Sequence, residues 1–196
     1  MNMTRTALPL ALAAMLAGGA FAQTTGSTVQ RNVKEQERIE QGLQGGSLNT
    51  REAARLEKQE AAVDRMQSNA LKDGSLSNAE KARLQRTQNR VSRDIYRHKH
   101  DAQVGSPNSA SSRRMQADVQ RDVNQQARIA QGVQSGALTN RETANLERGQ
   151  ARVNRREARA GADGRVGPLE QPRVQARENA QSGRIFRKKH NGVPKS

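Results

Sequence analysis

The sequence predicts an all-α protein made of two duplicated three-helix units with four helix-loop-helix junctions. Three observations lead there. A short motif recurs four times, as Gly46-Ser47-Leu48-Asn49-Thr50-Arg51-Glu52, Gly74-Ser75-Leu76-Ser77-Asn78-Ala79-Glu80, Gly136-Ala137-Leu138-Thr139-Asn140-Arg141-Glu142 and Gly164-Arg165-Val166-Gly167-Pro168-Leu169-Glu170. The first and third copies lie 90 residues apart, and at that offset 31 of the 71 positions from 30 to 100 are identical without a gap. A fixed offset of this length is the mark of an internal duplication. Finally, apolar residues recur at intervals of three and four and nowhere alternate with period two, the spacing of amphipathic helices rather than strands.

The first 22 residues stand apart. Arg5 precedes an apolar run from Ala7 to Ala17, broken only by Pro9, and Ala20-Phe21-Ala22 offers a small-x-small cleavage site. This is the pattern of a secretory signal peptide cleaved after Ala22. The run is shorter than the about 20 apolar residues a membrane-spanning helix needs, so no integral membrane protein is expected. The address is periplasmic or secreted. Residues 23–29 read as a polar, disordered leader.

Unit one covers 30–101. Its first helix, over 30–44, carries Val29, Val33, Ile39 and Leu43 on one side with a gap at Gln36. The second, over 50–71, carries Leu56, Val63, Met66 and Ala70. The third, over 78–100, carries Leu84, Val91 and Ile95, interrupted by Gln88. Residues 102–112 have the Gly/Ser/Pro composition of a flexible linker. Unit two, 113–191, repeats the three helices 90 residues later, and 192–196 is a tail. It repeats them less well: Met66 becomes Arg156, Val91 becomes Gln181, Leu71 becomes Gly161 and Ala82 becomes Pro172. Pro168 can sit in a first helical turn, whereas Pro172 should delay or kink the last helix. Unit two is expected to be the less stable.

Composition narrows the functional classes. There is no cysteine, so disulfides and a lipid-modified amino terminus are excluded. Only 33% of residues are hydrophobic and 2% aromatic, too few for a large apolar core. The net charge of +15 becomes +14 once Arg5 leaves. Residues 30–101 hold 15 Lys/Arg against 11 Asp/Glu, or +4, and residues 113–191 hold 17 against 8, or +9. Such an excess favours polyanionic partners. The signal peptide argues against nucleic acid, which leaves anionic envelope polymers or lipids.

Arg148, Arg152, Arg155 and Arg159 follow 4, 3, 4 spacing, opposite the Leu146/Val153/Ala160 face, and form one candidate anion-binding stripe. Their counterparts are Lys58, Ala62, Arg65 and Asn69, so the stripe is particular to unit two. Arg184, Arg187, Lys188 and Lys189 form a second basic cluster. Guanidinium forks suit phosphate and carboxylate groups. His98 and His100 lie two apart and do not face each other on a helix, so they read with His190 as solvated helix-end residues. No Ser/His/Asp arrangement, metal-ligand helix or phosphate-binding glycine loop is present, and no enzymatic activity is expected.

The recurring junction has a plain structural reading. Each glycine ends a helix in the left-handed conformation, the following aliphatic residue packs back, and Asn49, Ser77 or Thr139 caps the next helix with Glu52, Glu80 or Glu142 three residues on. The phrase Asp-Gly-x-Leu-Ser-x-x-Glu also resembles the distal half of an EF-hand calcium loop, as in degenerate EF-hand-like repeats of small exported bacterial proteins. That resemblance implies Asn69 at loop position one, Asp73 at five, the Ser75 carbonyl at seven and Glu80 at twelve. Leu71 at position three cannot ligate. The other loops fill the ligand positions worse. The helix between the loops at 46 and 74 also reads as continuous, which would put them at opposite ends of a bundle. A structural turn is therefore preferred. Weak calcium binding is one alternative, and a structural or stress-related protein without a specific ligand the other; no other cofactor is expected.

Overall fold

The computed structural model describes residues 24–191, so the signal peptide expected over 1–22 and the tail from 192 lie outside the described residues. The described chain is all-helical, with six helices and no strand. They are α1 (Thr25–Gln44), α2 (Thr50–Ala70), α3 (Asn78–Lys99), α4 (Ala110–Gln134), α5 (Asn140–Ala160) and α6 (Gln171–Lys189). No helix among the described residues is long and apolar enough to cross a membrane.

The junctions follow local chemistry. Gly46, Gly74, Gly136 and Gly164 have φ of +72°, +100°, +71° and +94°, which a side chain would strain. After Gly46 the chain folds back: Leu48 N donates to Gly42 O at 2.9 Å, and Leu138 N to Gly132 O at 2.9 Å. Both leucines lie where a Cβ on Gly42 or Gly132 would stand, 2.6 Å from a leucine Cδ1. Asn49, Ser77 and Thr139 then cap α2, α3 and α5, each in a reciprocal capping box with its glutamate. The fourth junction departs from this. Glu170 makes no side-chain cap, its Oε2 accepting instead from Gly167 N at 2.8 Å, and Pro168 lies in the preceding turn. The helix starts only at Gln171, with Pro172 in its first turn where a missing N–H is harmless.

Two boundaries differ from those expected. Within the leader expected to be disordered over 23–29, the described residues 24–29 start a helix instead: Thr24 caps α1, Ser27 completes a capping box, and Val29 is fully buried. The flexible linker of 102–112 is partly α4, since Ser109 caps a helix that starts at Ala110 and buries Ser112. The rest of it is held to the body. Gly105 N donates to Gly46 O at 2.8 Å, and Gln116 Nε2 to Pro107 O at 2.8 Å.

Residues 30–101 and 113–191 are not separate bodies. Helix α1 runs antiparallel to α4, with Gln30 beside Gln134 and Leu43 beside Gln116. Helix α2 runs antiparallel to α5, with Arg51 Nη2 on Asp163 O at 2.7 Å at one end and Arg141 Nη2 on Asp73 O at 3.4 Å at the other. Helices α3 and α6 flank these four. Each apolar cluster draws on both halves. Ile39, Leu43, Leu48, Leu56, Val63 and Ile95 pack with Met115, Val119, Ala160, Val166 and Val174. The smaller cluster joins Val29 and Val33 to Ile129, Leu138, Leu146 and Ile185.

Between the two clusters the interior is polar. Glu57, Glu60, Asp64 and Gln67 of α2 are buried, and so are Glu147, Gln150, Asn154 and Glu157 of α5. The two gaps in the apolar stripes, Gln36 and Gln88, are also buried here. Gln36 Nε2 donates to Glu57 Oε2 at 2.9 Å, and Gln88 Nε2 to Asn32 Oδ1 at 2.6 Å. Asp64 is the hub of this layer. It accepts from Asn32 of α1, Gln126 of α4 and Asn154 of α5 at 3.3, 3.1 and 3.1 Å.

Candidate functional site

On the outer side of α5 the arginine stripe stands as its spacing predicts, because Leu146, Val153 and Ala160 are buried on the opposite side. Arg148, Arg155 and Arg159 are exposed and Arg152 is half-buried. What the spacing could not supply is the contribution of the neighbouring helices. Arg152, Arg155, Arg156 and Arg159 line one groove with Arg177 of α6. The groove continues at one end past Arg156 and Arg159 to Arg173 and Glu170. At the other end it runs past Arg148, Ala151, Arg152 and Arg155 to Arg65 and Asn69 of α2. Arg65 and Asn69 in turn line a second pocket with Ala62, Met66, Ala70, Lys72, Glu80 and Arg83. One basic groove thus crosses α2, α5 and α6.

The groove is electrostatically one-sided. Among the described residues, none of Arg148, Arg152, Arg155, Arg156, Arg159 and Arg177 stands within 4.0 Å of a carboxylate. Arg152 is pushed below the ordinary guanidinium range by partial burial and by the charges of Arg184, Arg148, Arg177 and Arg155 around it. Like charges gathered without an anion raise the local potential and concentrate anionic ligands.

The second basic cluster does not act as a unit. Arg184 is half-buried, and its charge is among those that lower Arg152. Lys189 Nζ instead donates to Gln131 Oε1 at 2.9 Å, Lys188 Nζ is 4.0 Å from Glu142 Oε1, and Arg187 is exposed on the last turn of α6.

The residues of the calcium-loop resemblance close turns. Ser75 N donates to Asp73 Oδ1 at 3.1 Å, and Glu80 Oε2 accepts from Ser77 N at 3.0 Å and Ser77 Oγ at 2.6 Å. Asn69 is exposed at the edge of the arginine groove, with Arg65 beside it.

Two groupings escaped the sequence reading. In the interior Glu57, Asp122 and Glu157 each bring one carboxylate oxygen within 4.8 Å of the others. Burial pushes Glu57 up to about 7, and pushes Asp122 and Glu157 well above the usual carboxylate range. Burial thus favours the neutral, protonated form of each, and the amides of Gln36 and Gln150 donate to Glu57 and Asp122. Their signal was in the sequence: Glu57, Glu60, Asp64, Gln67 and Glu147, Gln150, Asn154, Glu157 share a 3, 4, 3 spacing that marks a face. The other grouping brings His98 to Glu52 and Asp101. His100 and His190 behave as helix-end residues, each stacking on the aromatic ring four residues earlier, Tyr96 or Phe186.

Compared with known proteins, the chain matches no family model, no curated protein and no solved structure.

Proposed function

We propose that this is an exported, non-enzymatic binding protein that takes anionic envelope polymers or lipid headgroups in the arginine groove of α2, α5 and α6. The observation that carries this reading is the groove itself: Arg152, Arg155, Arg156, Arg159 and Arg177 face one space with no carboxylate to neutralise them. Arginine forks bind phosphate and carboxylate in bidentate fashion, and a row of them suits a repeating anion. Export rests on the signal-peptide pattern of residues 1–22. The resemblance to calcium loops supports a weaker role, since one oxygen each of Asp73 and Glu80 is engaged in a turn and arginines crowd Asn69.

The chain also reads as a tandem duplication whose two halves embrace about a pseudo-twofold axis. The supporting observation is that contacts recur at the 90-residue offset. Arg38 Nη1 reaches Ser92 Oγ as Arg128 Nη1 reaches Ser182 Oγ, and Arg51 reaches across to Asp163 as Arg141 reaches to Asp73. The halves have then diverged in charge, and only one kept the arginine stripe.

The experiment is titration of the whole mature chain with lipopolysaccharide and with an acidic polysaccharide at rising salt. Binding should weaken steeply with salt, because the screening length falls from about 10 Å at 0.1 M to about 3 Å at 1 M. Replacing Arg148, Arg152, Arg155 and Arg159 together by glutamine should leave helicity intact and lower affinity at least tenfold. A quadruple variant that binds as well as the parent would show the stripe to be ordinary solvated surface.

A further inference from the structure

We infer that His98, Glu52 and Asp101 form a binding site for a divalent transition-metal ion such as zinc. The site lies where the last turn of α3 meets the first turn of α2. His98 Nδ1 is 3.4 Å from Glu52 Oε1 and 3.5 Å from Asp101 Oδ2. Ligand atoms bound about 2.0–2.2 Å from a tetrahedral zinc lie roughly 3.3–3.6 Å from one another. His98 Nδ1 already stands at that separation from both carboxylate oxygens, and the three atoms all lie within 4.8 Å of one another.

Each carboxylate is held so that one oxygen serves the backbone and the other serves the site. Glu52 Oε2 accepts from Asn49 N at 3.0 Å in the capping box, which turns Oε1 towards His98. Asp101 Oδ1 accepts from Gln103 N at 2.9 Å, which leaves Oδ2 facing the same point. Glu52 is only 1% exposed, yet its Oε1 receives no hydrogen bond, and neither does the buried Nδ1 of His98. A buried carboxylate oxygen without a donor is costly. A cation at the common point removes that cost.

The corresponding residues 90 positions on show how the same place is satisfied without a metal. There Glu142 stands in place of Glu52, Lys188 in place of His98 and Asn191 in place of Asp101. Asn191 Nδ2 donates to Glu142 Oε1 at 2.6 Å, and the Lys188 ammonium stands 4.0 Å from the same oxygen. The second half thus brings a built-in cation and an amide donor to its glutamate. The first half brings an imidazole and a second carboxylate, both ligands for an external cation. Asp101 is exposed and His98 only half-buried, so an ion can enter and the fourth coordination position can hold water. A mixed nitrogen and oxygen set of this kind suits zinc rather than calcium, which prefers six or more oxygens.

The test is titration of the metal-stripped mature chain with Zn²⁺ against a competing chromophoric chelator, with Co²⁺ as a visible-absorption probe of geometry. One equivalent should bind, and Co²⁺ should give the intense bands of a low-coordinate site. His98→Ala should lower affinity at least tenfold, and His100→Ala should not change it. The double variant His98→Lys with Asp101→Asn copies the donor set of the second half, so it should keep full helicity while losing the ion. Absence of stoichiometric binding would overturn the inference. So would a double variant that binds zinc as tightly as the parent, or an equal loss on His100→Ala, which would place the ion on the exposed helix end.

Discussion

Glu57 shows what an acid does in this interior. It is fully buried, accepts one hydrogen bond from Gln36, and burial raises its carboxyl from 4.5 to about 7. A raised carboxyl holds its proton more tightly folded than unfolded. Its contribution to stability is therefore complete below about pH 4.5 and is lost as pH rises through 7. A rise of this kind on one buried carboxyl corresponds to an energy on the order of a few kcal/mol. Glu57→Gln keeps the shape and the neutral charge. It should change stability little at pH 5 and should stabilise by about that amount at pH 8.5, as read by denaturant unfolding at the two values. Asp118, raised to about 8, and Glu147 and Glu178, raised to about 7, push in the same direction. The parent chain should accordingly melt at a lower temperature at pH 8.5 than at pH 5. A melting temperature that rises over that window would mean these acids are ionised within the fold.

At the scale of elements, the helices and their junctions were legible because they obey local rules: periodic apolar residues, a left-handed glycine soon after α1, α2, α4 and α5, and a cap with its glutamate at the starts of α2, α3 and α5. The interior between the helices was less so. Gln36 and Gln88 interrupt otherwise apolar stripes, and a stripe count takes them for solvent-facing gaps. They are buried because polar residues on the facing helices meet them, a long-range fact that no window of one helix contains. The arginine groove was half legible for the same reason, since α5 supplies the visible row while Arg177 and Arg65 arrive from α6 and α2. The triad of His98 was missed because its partners lie far along the chain at Glu52 and just past the helix at Asp101. Two of the substitutions expected to weaken the second half meet side chains of neighbouring helices. Gly161 replaces Leu71, and α4 sends Met115 into contact there, with the methionine methyl 2.5 Å and Ala54 Cβ 2.9 Å from where a side chain on Gly161 would begin. Gly149 likewise leaves the room that Gln181 needs. Gly161→Ala should overpack the α2–α5 contact and cost about 1–3 kcal/mol in chemical denaturation. An unchanged midpoint would mean that Met115 moves aside freely.

The whole molecule is one body, in which Asp64 of the first half finds its hydrogen-bond donors in Gln126 and Asn154 of the second. Neither half holds a complete interior by itself. Both apolar clusters and the polar layer cross between them, so the pieces cannot be used as independent modules to compare their affinity for anions. Comparison of the two faces has to be made by substitution within the intact chain.

The crossed contacts at the ends of α2 and α5 have a historical consequence. Arg51 touches Asp163 while Arg141 touches Asp73, the reciprocal pattern of an isologous interface between two identical subunits. On the duplication reading, the ancestor was half this length and lived as a homodimer. On that same reading, fusion would have replaced concentration dependence by a short tether between α3 and α4. Once tethered, the halves were free to stop being identical. The hub is consistent with that reading, because exact symmetry would set Asp64 against another Asp64, whereas this chain sets it against Asn154. Cut between Pro107 and Asn108, the two fragments should now complement each other rather than themselves. Mixed, residues 23–107 and 108–196 should recover the helicity of the parent as a one-to-one complex, while each alone stays largely unfolded by circular dichroism. Fragments that fold separately and ignore each other would remove the ancestral dimer from the account.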